Sequence, residues 1–357
     1  MSRRLFSLCM LVFLILPLAL QPWQAARAQE SDPPTAPEGN TIVIIHYPDR
    51  ATLESLAGEL DIWEVDPEAG SLVAMVTPAE YASLVERGLQ IEIDTARMEE
   101  LNAPPGYPCY RTIVDLYADL QTRAQAYPGL TYLRSIGKSY EGRDIWSMRV
   151  TNESHVVADK PRLFLMANIH GRELITPEMA MVFMDHLLEN YGVDPDVTWI
   201  LDWHEIYIVV SANPDGHVRN ETTLAYWRKN THPYGSCSPD SIGVDLNRNH
   251  SFKWGLGVGS SGDPCDETYR GPSNASEAET QLIQNYVRSL FPDQRGPGDT
   301  DAAPEDATGV LISLHSYSNL ILWPWGWTNA TAPNSAGLAA LGQKMATYNY
   351  YDPQQSN

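Results

Sequence analysis

The sequence predicts an α/β fold: a mixed, mostly parallel sheet covered by helices on both faces, preceded by a small open-faced α+β unit. Two observations predict it. From residue 109 onward, apolar runs alternate with helical patterns, as in sheets whose strands are joined by crossover helices. Residues 41–94 instead show a compact β-α-β-β-α-β order, which is typical of a separate small α+β unit.

Composition and the N-terminus indicate an exported protein. Residues 1–28 combine Arg3 and Arg4, the apolar run Leu5–Leu20 and the cleavage-site pattern Ala26-Arg27-Ala28, which together predict a secretory signal peptide. That segment holds three arginines and no acidic residue, so its removal changes the formal net charge from −21 to −24. So acidic a protein is not expected to bind nucleic acid. No later apolar run is long enough for a membrane span, and we expect a secreted or extracytoplasmic monomer.

The four cysteines predict one disulfide. Cys9 lies in the signal peptide, whereas Cys237 and Cys265 bracket a Gly/Ser-rich segment and should pair in an oxidising compartment. Cys109 is then odd. It is either a free thiol or a residue whose partner is absent from this chain.

The first unit follows a polar, Pro-rich linker at residues 29–40. Its predicted elements are the strand Thr41–Tyr47, the helix Arg50–Leu60, the strands Asp61–Val65 and Ser71–Val76, the helix Pro78–Arg87 and the strand Leu89–Ile93. It could be a folding aid or a pro-segment that covers an active site. A second linker, 95–108, contains Ala103-Pro104-Pro105-Gly106 and separates it from a second domain at 109–357.

The second domain opens with a capping box at Thr112 and Asp115 that predicts a helix. Further predicted elements are the hairpin strands Thr131–Ser135 and Asp144–Val150, the strand Arg162–Ile169, the helix Pro177–Asn190, the strand Glu205–Val210, a helix from Ser276 to Leu290 and the strand Gly309–Leu314. Residues 294–308 are predicted to be an insertion. The polar C-terminal segment predicts no closing strand or helix.

Three residues form a candidate metal site. His170 and Glu173 follow one apolar run, and His315 follows another. Both positions correspond to the carboxyl ends of buried strands, where open α/β sheets bind their ligands. Two imidazoles and a carboxylate are the ligand set of a catalytic zinc with one open position. Taken alone, the H-x-x-E pattern is weak evidence, because a loop pair with ordinary hydrogen bonds would give it too.

Further motifs carry a resemblance. They are Ser139-Tyr140-Glu141-Gly142-Arg143, His170-Gly171-Arg172-Glu173, Asn213-Pro214-Asp215-Gly216, Trp227-Arg228-Lys229, Asp245-Leu246-Asn247-Arg248-Asn249, Glu267-Thr268-Tyr269-Arg270-Gly271 and His315-Ser316-Tyr317-Ser318. These motifs, in this order, give the chain a strong resemblance to the zinc metallocarboxypeptidases of the carboxypeptidase A/B family, of a secreted bacterial type. The resemblance extends from about Cys109 to the last residue. The small N-terminal unit resembles the family's pro-segment in topology alone.

The resemblance implies an exopeptidase that acts on the C-termini of peptides and proteins with zinc as its cofactor. It implies that His170, Glu173 and His315 hold zinc and that Arg228 stabilises the oxyanion of the tetrahedral intermediate. Asn247 and Arg248 would clamp the substrate's terminal carboxylate, with Arg172 lining the approach. Asp245 would orient a zinc-binding histidine, and Tyr317 would contact substrate residues upstream of the scissile bond.

The chain also departs from the family pattern. His250 stands where an aromatic residue is expected after Asn249. The family's general base is a glutamate well downstream of the third zinc ligand, and no glutamate follows Glu305. We therefore expect a C-terminally truncated enzyme with impaired activity. The alternatives are a non-catalytic zinc- or peptide-binding homologue, and a zinc acylase on a related scaffold, which does not predict the Asn247–Arg248 clamp.

Overall fold

The computed structural model describes residues 37, 39–101, 110–223, 226–256 and 259–356. The predicted signal peptide, residues 102–108 of the second predicted linker and Cys109 lie outside these residues. The N-terminal unit is a four-stranded antiparallel sheet of order β2-β3-β1-β4. Its elements are β1 (Thr41–His46), α1 (Arg50–Glu59), β2 (Asp61–Asp66), β3 (Ser71–Val76), α2 (Pro78–Glu86), β4 (Gln90–Ile93) and α3 (Thr95–Leu101).

Strand alternation gives this sheet two apolar faces. Val43 and Ile45 point to one face, where they pack against Leu56 of α1 and Leu84 of α2. The opposite face is formed by Ile42, Trp63, Val73 and Met75 and packs against Tyr226, which lies far along the chain. Because successive side chains of a strand point to opposite faces, one face holds the helices and the other is free to contact the rest of the protein.

The larger part of the chain is built on a five-stranded mixed sheet of order β5-β6-β8-β7-β9. Strand β7 is parallel to β8 and β9, whereas β6 is antiparallel to β5 and β8. The elements are α4 (Ile113–Ala126), β5 (Thr131–Lys138), β6 (Asp144–Val150), β7 (Arg162–Met166), α5 (Ile175–Asn190), α6 (Pro195–Trp203), β8 (Glu205–Val209), α7 (Pro214–Thr223), a 3₁₀ turn (Leu246–Arg248), α8 (Ala278–Leu290), β9 (Val310–Ser313), β10 (Leu320–Trp323), α9 (Ser335–Asn349) and β11 (Asp352–Gln355).

Helices cover both faces of this sheet, as the sequence predicts. On one face, Leu116 of α4 and Met181 of α5 belong to one buried cluster with Ile208 of β8. On the other, Ile283 of α8 packs with Phe164 of β7. The mixed α/β sheet and the separate small sheet unit are therefore both present. Within the five-stranded sheet, two of the four strand pairings are parallel and two are antiparallel.

Other elements differ from the expectations. The sequence analysis missed α6 and α7, and α3 lies at the start of the predicted second linker. The expectation of no closing strand or helix was wrong. Helix α9 packs closely on β10, because a Cβ on Gly342 would come within 2.6 Å of the Trp323 ring, and β11 pairs in parallel with β10. The Asp-Pro-Gln-Gln sequence of β11 has no apolar periodicity, so only its pairing with β10 makes it a strand.

The structure confirms the predicted disulfide. Cys237 and Cys265 are bonded, with their Cα atoms 5.2 Å apart. Within the described residues, no helix combines the length and the apolar character needed to cross a bilayer.

The capping box of α4 yields a stability prediction. Thr112 Oγ1 accepts a hydrogen bond from the Asp115 backbone N–H at 3.1 Å, and Asp115 Oδ2 accepts one from the Thr112 N–H at 3.3 Å. Thr112→Ala should lower the free energy of unfolding by about 1 kcal/mol, because it leaves backbone donors of the first turn without a partner.

Urea denaturation followed by circular dichroism measures this loss. Thr122→Ala is the matched control. Thr122 is an exposed threonine in the middle of the same helix, so its replacement should change stability by less than about 0.5 kcal/mol. Equal midpoints for the two variants would contradict the capping role.

Candidate metal centre and the arginine cluster beside it

Neighbouring parallel strands bring the predicted metal ligands together. Strands β7 and β9 run in parallel with Met166 opposite Ser313, so their carboxyl ends lie side by side at one sheet edge. His170 follows β7 and His315 follows β9, and their ring centroids are 5.0 Å apart. The convergence of these distant residues is thus a direct consequence of strand order.

The turn that carries His170 is held by Asn168. This residue has φ 54°, a left-handed conformation that asparagine tolerates better than most residues. Its Nδ2 donates to the carbonyl oxygens of His170 at 3.0 Å and Gly171 at 3.2 Å. A Cβ on Gly171 would lie 2.5 Å from the Gly216 carbonyl carbon. The Asn-Pro-Asp-Gly motif therefore packs directly against the His170 turn and requires glycine at both contacting positions.

The three ligand groups face one another. His170 Nδ1 lies 2.8 Å from Glu173 Oε1, and His315 Nδ1 lies 3.3 Å from the same oxygen. All three ligand atoms are within 4.8 Å of one another. His170 and Glu173 are buried, whereas 36% of the His315 side chain is exposed. The predicted convergence on one site is confirmed, with an opening on the His315 side.

The chemistry of this group fits zinc. Burial raises the pKa of Glu173, but His170 and His315 outweigh it and hold that pKa below its usual range. Its buried Oε2 makes no hydrogen bond. An ionised carboxylate with a spare oxygen, facing two imidazole nitrogens, is the donor set that zinc takes in hydrolytic sites.

Asp245 lies behind His170. His170 Nε2 is buried without a hydrogen bond and lies 3.3 Å from Asp245 Oδ1, so a small rotation of the ring would complete that contact. Burial raises the pKa of Asp245, but the Arg228 guanidinium outweighs it and keeps this pKa well below its usual value. The ionised carboxylate can therefore orient the His170 ring.

Two buried guanidiniums adjoin the metal site, and both contact the N-terminal unit. Arg228 donates through Nε and Nη2 to Asp245 Oδ2 at 3.0 and 2.9 Å, and through Nη1 to Asp61 Oδ1 at 2.9 Å. Arg172 Nη2 donates to the other oxygen, Asp61 Oδ2. One carboxylate of the small unit therefore bridges two of the three arginines that the sequence analysis placed in the site, Arg172 and Arg228.

Asp61 is the residue that the sequence analysis missed. Burial raises its pKa, but Arg172 and Arg228 outweigh this effect and lower the pKa to about 2. It opens β2 and shares a strand face with Trp63, whose Nε1 donates to Asp61 Oδ2 at 2.9 Å. The sequence carries no local signal for this role, because Asp61 merely begins a predicted strand and its two arginine partners lie 111 and 167 residues away.

Trp63 completes an aromatic wall around Arg172. Its ring centroid lies 4.6 Å from that of Tyr226 and 6.1 Å from that of Tyr317. The Arg172 guanidinium lies 5.2 Å from the Trp63 centroid and 5.0 Å from the Tyr226 centroid. The N-terminal unit thus fills the space beside Arg172 with both a carboxylate and a ring.

The remaining predicted site residues lie at the margin. Asp245 Oδ1 accepts from the Asn247 N–H at 2.9 Å and so starts the 3₁₀ turn that carries Asn247 and Arg248. Asn247 is exposed and Arg248 is half-buried, with its Nε donating to the Gly259 carbonyl. The Tyr317 ring contacts the Trp63 ring, which in turn packs against Arg172. Direct contacts therefore join His170, Glu173, His315, Asp245 and Arg228, and Asp61 links Arg172 to this group. The other three residues flank them.

Comparison with known proteins identifies the family. Residues 116–356 match the family model described as zinc carboxypeptidase, and the chain belongs to that family. It is 34% identical over 248 residues to zinc carboxypeptidase A 1 of Drosophila melanogaster, covering 67% of this chain and 53% of that protein. It is 33% identical over 242 residues to carboxypeptidase A1 of Rattus norvegicus, covering 68% and 52%. The chain therefore spans about half the length of these relatives.

Solved structures show the same fold. The crystal structure of carboxypeptidase A from Helicoverpa armigera has a TM-score of 0.70 at 22% identity, covering 89% of this chain and 81% of that one. The structure of thrombin activatable fibrinolysis inhibitor has a TM-score of 0.66 at 19% identity, covering 89% and 83%. Both likenesses include the carboxypeptidase sheet and extend over most of the described chain.

The Asp245–His170 contact predicts a change in metal affinity. Asp245→Asn removes the negative charge behind the ring and should weaken zinc binding by about 10–100-fold. Glu173→Gln removes a ligand and should weaken it further. Competition with a chromogenic chelator measures both affinities.

Asp144→Asn is the control, because Asp144 lies at the start of β6 and pairs with Lys138 at the surface. Its zinc affinity should equal that of the unchanged protein. A zinc affinity that survives Glu173→Gln would show that these three residues are not the metal site.

Proposed function

We propose that this protein is a zinc-dependent carboxypeptidase in a covered, precursor-like state, which hydrolyses the C-terminal peptide bond of peptides and proteins. The observation that carries the proposal is the bridge from Asp61 to Arg172 and Arg228 directly beside the His170-Glu173-His315 group. Zinc ligands alone are common to many hydrolases. Here two buried guanidiniums lie next to the zinc ligands and already bind a carboxylate, which favours a substrate with anionic oxygens.

The metal and the arginines have separate roles. Zinc, when bound by the three ligands, polarises a carbonyl and lowers the pKa of water. Arg228 is fixed by Asp245 through two of its nitrogens, which leaves Nη1 to donate to an anionic oxygen. In this structure that oxygen belongs to Asp61; in catalysis it would be the oxyanion of the tetrahedral intermediate. Such a donor typically lowers the barrier by about 3–4 kcal/mol.

A second group of donors would bind the substrate's terminus. The Arg248 guanidinium contacts backbone carbonyls, those of Gly259 and of Asn247, the latter at 3.4 Å, and no described carboxylate lies within ion-pair distance of it. Asn247 beside it is exposed. An arginine that lacks a carboxylate partner next to a metal site supports a role in binding the free carboxylate of a peptide. This arrangement favours an exopeptidase over an acylase.

The N-terminal unit would act as a pro-segment. Asp61 occupies the donors of Arg172 and Arg228, and Trp63 fills the space between Arg172 and Tyr317, so a peptide cannot use these groups while the unit is in place. Residues 1–28 would direct export, and the Cys237–Cys265 disulfide is suited to an oxidising compartment. We propose that the unit must leave the site before substrate binds.

One observation favours the alternative of a zinc- and peptide-binding protein without catalysis. The described carboxylates at the site are Asp61, Glu173, Asp245 and Glu267. Each contacts a histidine or an arginine, Glu267 through Arg172 Nη1 at 3.8 Å. The charges of Asp61, Glu173 and Asp245 are therefore held by arginine or histidine, which argues against any of these three taking a proton from water. The sequence-based expectation of low activity for these 357 residues therefore stays a prediction.

Peptide binding tests the proposal without depending on catalysis. A zinc-loaded Asp61→Asn variant should bind a fluorescent peptide that has a free C-terminal carboxylate at least about tenfold more tightly than the same peptide amidated, because the amide cannot pair with Arg248. Fluorescence anisotropy gives both affinities. Adding Arg248→Gln should remove the difference.

Product analysis separates the two candidate functions. If the protein releases single C-terminal residues from peptides and a chelator stops this release, it is a carboxypeptidase. If it binds peptides with a free carboxylate selectively but releases no residue, it is the binding protein. Equal handling of free and amidated peptides would refute both.

The Asp61 pKa predicts how docking of the N-terminal unit depends on pH. Its folded-state pKa of about 2 lies below the ordinary value of about 3.9 for a free aspartate. The stabilisation is therefore fully present above pH ~4 and is lost as the pH falls through about 2. At 1.36 kcal/mol per pKa unit the difference amounts to roughly 2–3 kcal/mol.

Unfolding free energies of the unchanged protein and of Asp61→Asn should thus differ most at pH 5–7 and converge towards pH 2. Denaturant titrations at each pH measure them. Asp66→Asn, at the exposed end of the same strand, is the control. A difference that does not shrink on acidification would exclude a charge interaction.

A further inference from the structure

A basic cavity lies at the opposite end of the main sheet from the zinc ligands. It has a volume of about 230 Å³, and Tyr132, Arg134, Arg149, Arg162, Tyr207 and Tyr286 contribute to its wall. Arg162 is the first residue of β7, whereas His170 follows the last. The cavity is therefore separate from the metal centre and is not used by the proposed hydrolysis.

Strand register explains why these side chains meet. Tyr132 of β5 pairs with Arg149 of β6, and Arg149 pairs with Tyr207 of β8. Arg134 lies two residues after Tyr132, and the period of two in a strand keeps both on one face. This is the face that α8 covers, and Tyr286 of α8 closes the cavity. Three arginines are thus held on a rigid sheet and not on mobile loops.

The cavity carries a surplus of positive charge. Arg162 Nε pairs with Glu205 Oε2 at 2.8 Å. Arg149 pairs with Glu153 and, at 3.5 Å, with the same Glu205. Within the described chain, no acidic group lies at ion-pair distance from Arg134, whose guanidinium lies against the Tyr286 ring. Three guanidiniums therefore share two carboxylates, in a protein whose net charge is −21.

Two donors of this group remain for a ligand, the Arg134 guanidinium and the Nε of Arg149. Arg134 lies 4.6 Å from the Tyr286 centroid, and Arg149 lies 5.5 Å from the Tyr132 centroid. A guanidinium that packs its flat face on a ring keeps its edge N–H groups free to donate. In addition, the Arg149 Nε is buried and has no hydrogen-bond partner. A buried donor of this kind has a cost that a ligand can remove.

We infer that this cavity binds a phosphate or sulfate group, as the free anion or as an ester. The three arginines lie on three different strands, an arrangement that suits a tetrahedral oxyanion with several acceptor oxygens. The surplus charge favours an anion, and the exposed Tyr132 ring at the cavity wall offers a surface on which the ring of a sugar ester can pack. This site is independent of the proposed peptidase function, because none of its residues touches the metal ligands.

Calorimetry with inorganic phosphate tests the inference. The titration uses the whole protein with chelator present and with ionic strength held constant by sodium chloride, so that neither zinc nor bulk screening contributes. Phosphate should bind, and Arg134→Gln should weaken its affinity by about tenfold, as expected for the loss of one charged hydrogen bond. Arg50→Gln, which removes a positive charge from an exposed ion pair on α1, should bind as the unchanged protein does.

Glucose 6-phosphate distinguishes the two sources of the group. If glucose 6-phosphate binds more tightly than inorganic phosphate, the ligand is an ester. If it binds equally or more weakly, the ligand is the free anion. Either result supports the site. Phosphorus NMR of the unchanged protein provides a readout that needs no variant. Absence of binding in both measurements, or equal affinity in Arg134→Gln and Arg50→Gln, would overturn the inference.

Discussion

The bridge from Asp61 to Arg172 and Arg228 is the interaction on which the described state of the site depends. Buried ions are tolerated only when they are paired, and here two buried arginines are balanced by Asp61 and Asp245. Asp245 belongs to the larger part of the chain, whereas Asp61 belongs to the N-terminal unit. Removal of the N-terminal unit would leave positive charge unbalanced next to the metal ligands. The same electrostatics that hold the unit in place would then favour an anionic substrate.

The rest of the structure serves to hold these groups still. Parallel strands β7 and β9 fix the histidines, and Asn168 fixes the turn between β7 and Glu173. Lys229 ties the loop that leads to Asp245 and Arg248 to the loop that carries Glu267. Its buried ammonium donates to the carbonyls of Ser241 at 2.6 Å, Pro264 at 3.2 Å and Asp266 at 2.8 Å. The Cys237–Cys265 disulfide joins the same two loops, so a site built largely on loops keeps a defined geometry.

Charge is distributed unevenly over this acidic protein. Groups of arginines lie in two places, the cluster beside the metal ligands and the cavity at the amino ends of β7 and β8. In the first, Asp61 and Asp245 neutralise the guanidiniums; in the second, Glu153 and Glu205 neutralise them only in part. Fixed positive groups within a negative surface focus the local potential and so select anions at those points. Both places lie on rigid strands or on loops tied to them.

The sequence by itself determined the features that depend on local pattern. The apolar runs that end in His170 and His315 indicated the metal ligands, and the capping box at Thr112 indicated a helix. The positions of Cys237 and Cys265 predicted the disulfide. Only the tertiary structure revealed Asp61, because it meets Arg172 and Arg228 across 111 and 167 residues and no local pattern encodes such a contact. The same holds for β11, which is a strand only because β10 supplies its hydrogen bonds. Periodicity identifies which side of an element is buried, but packing alone decides what it is buried against.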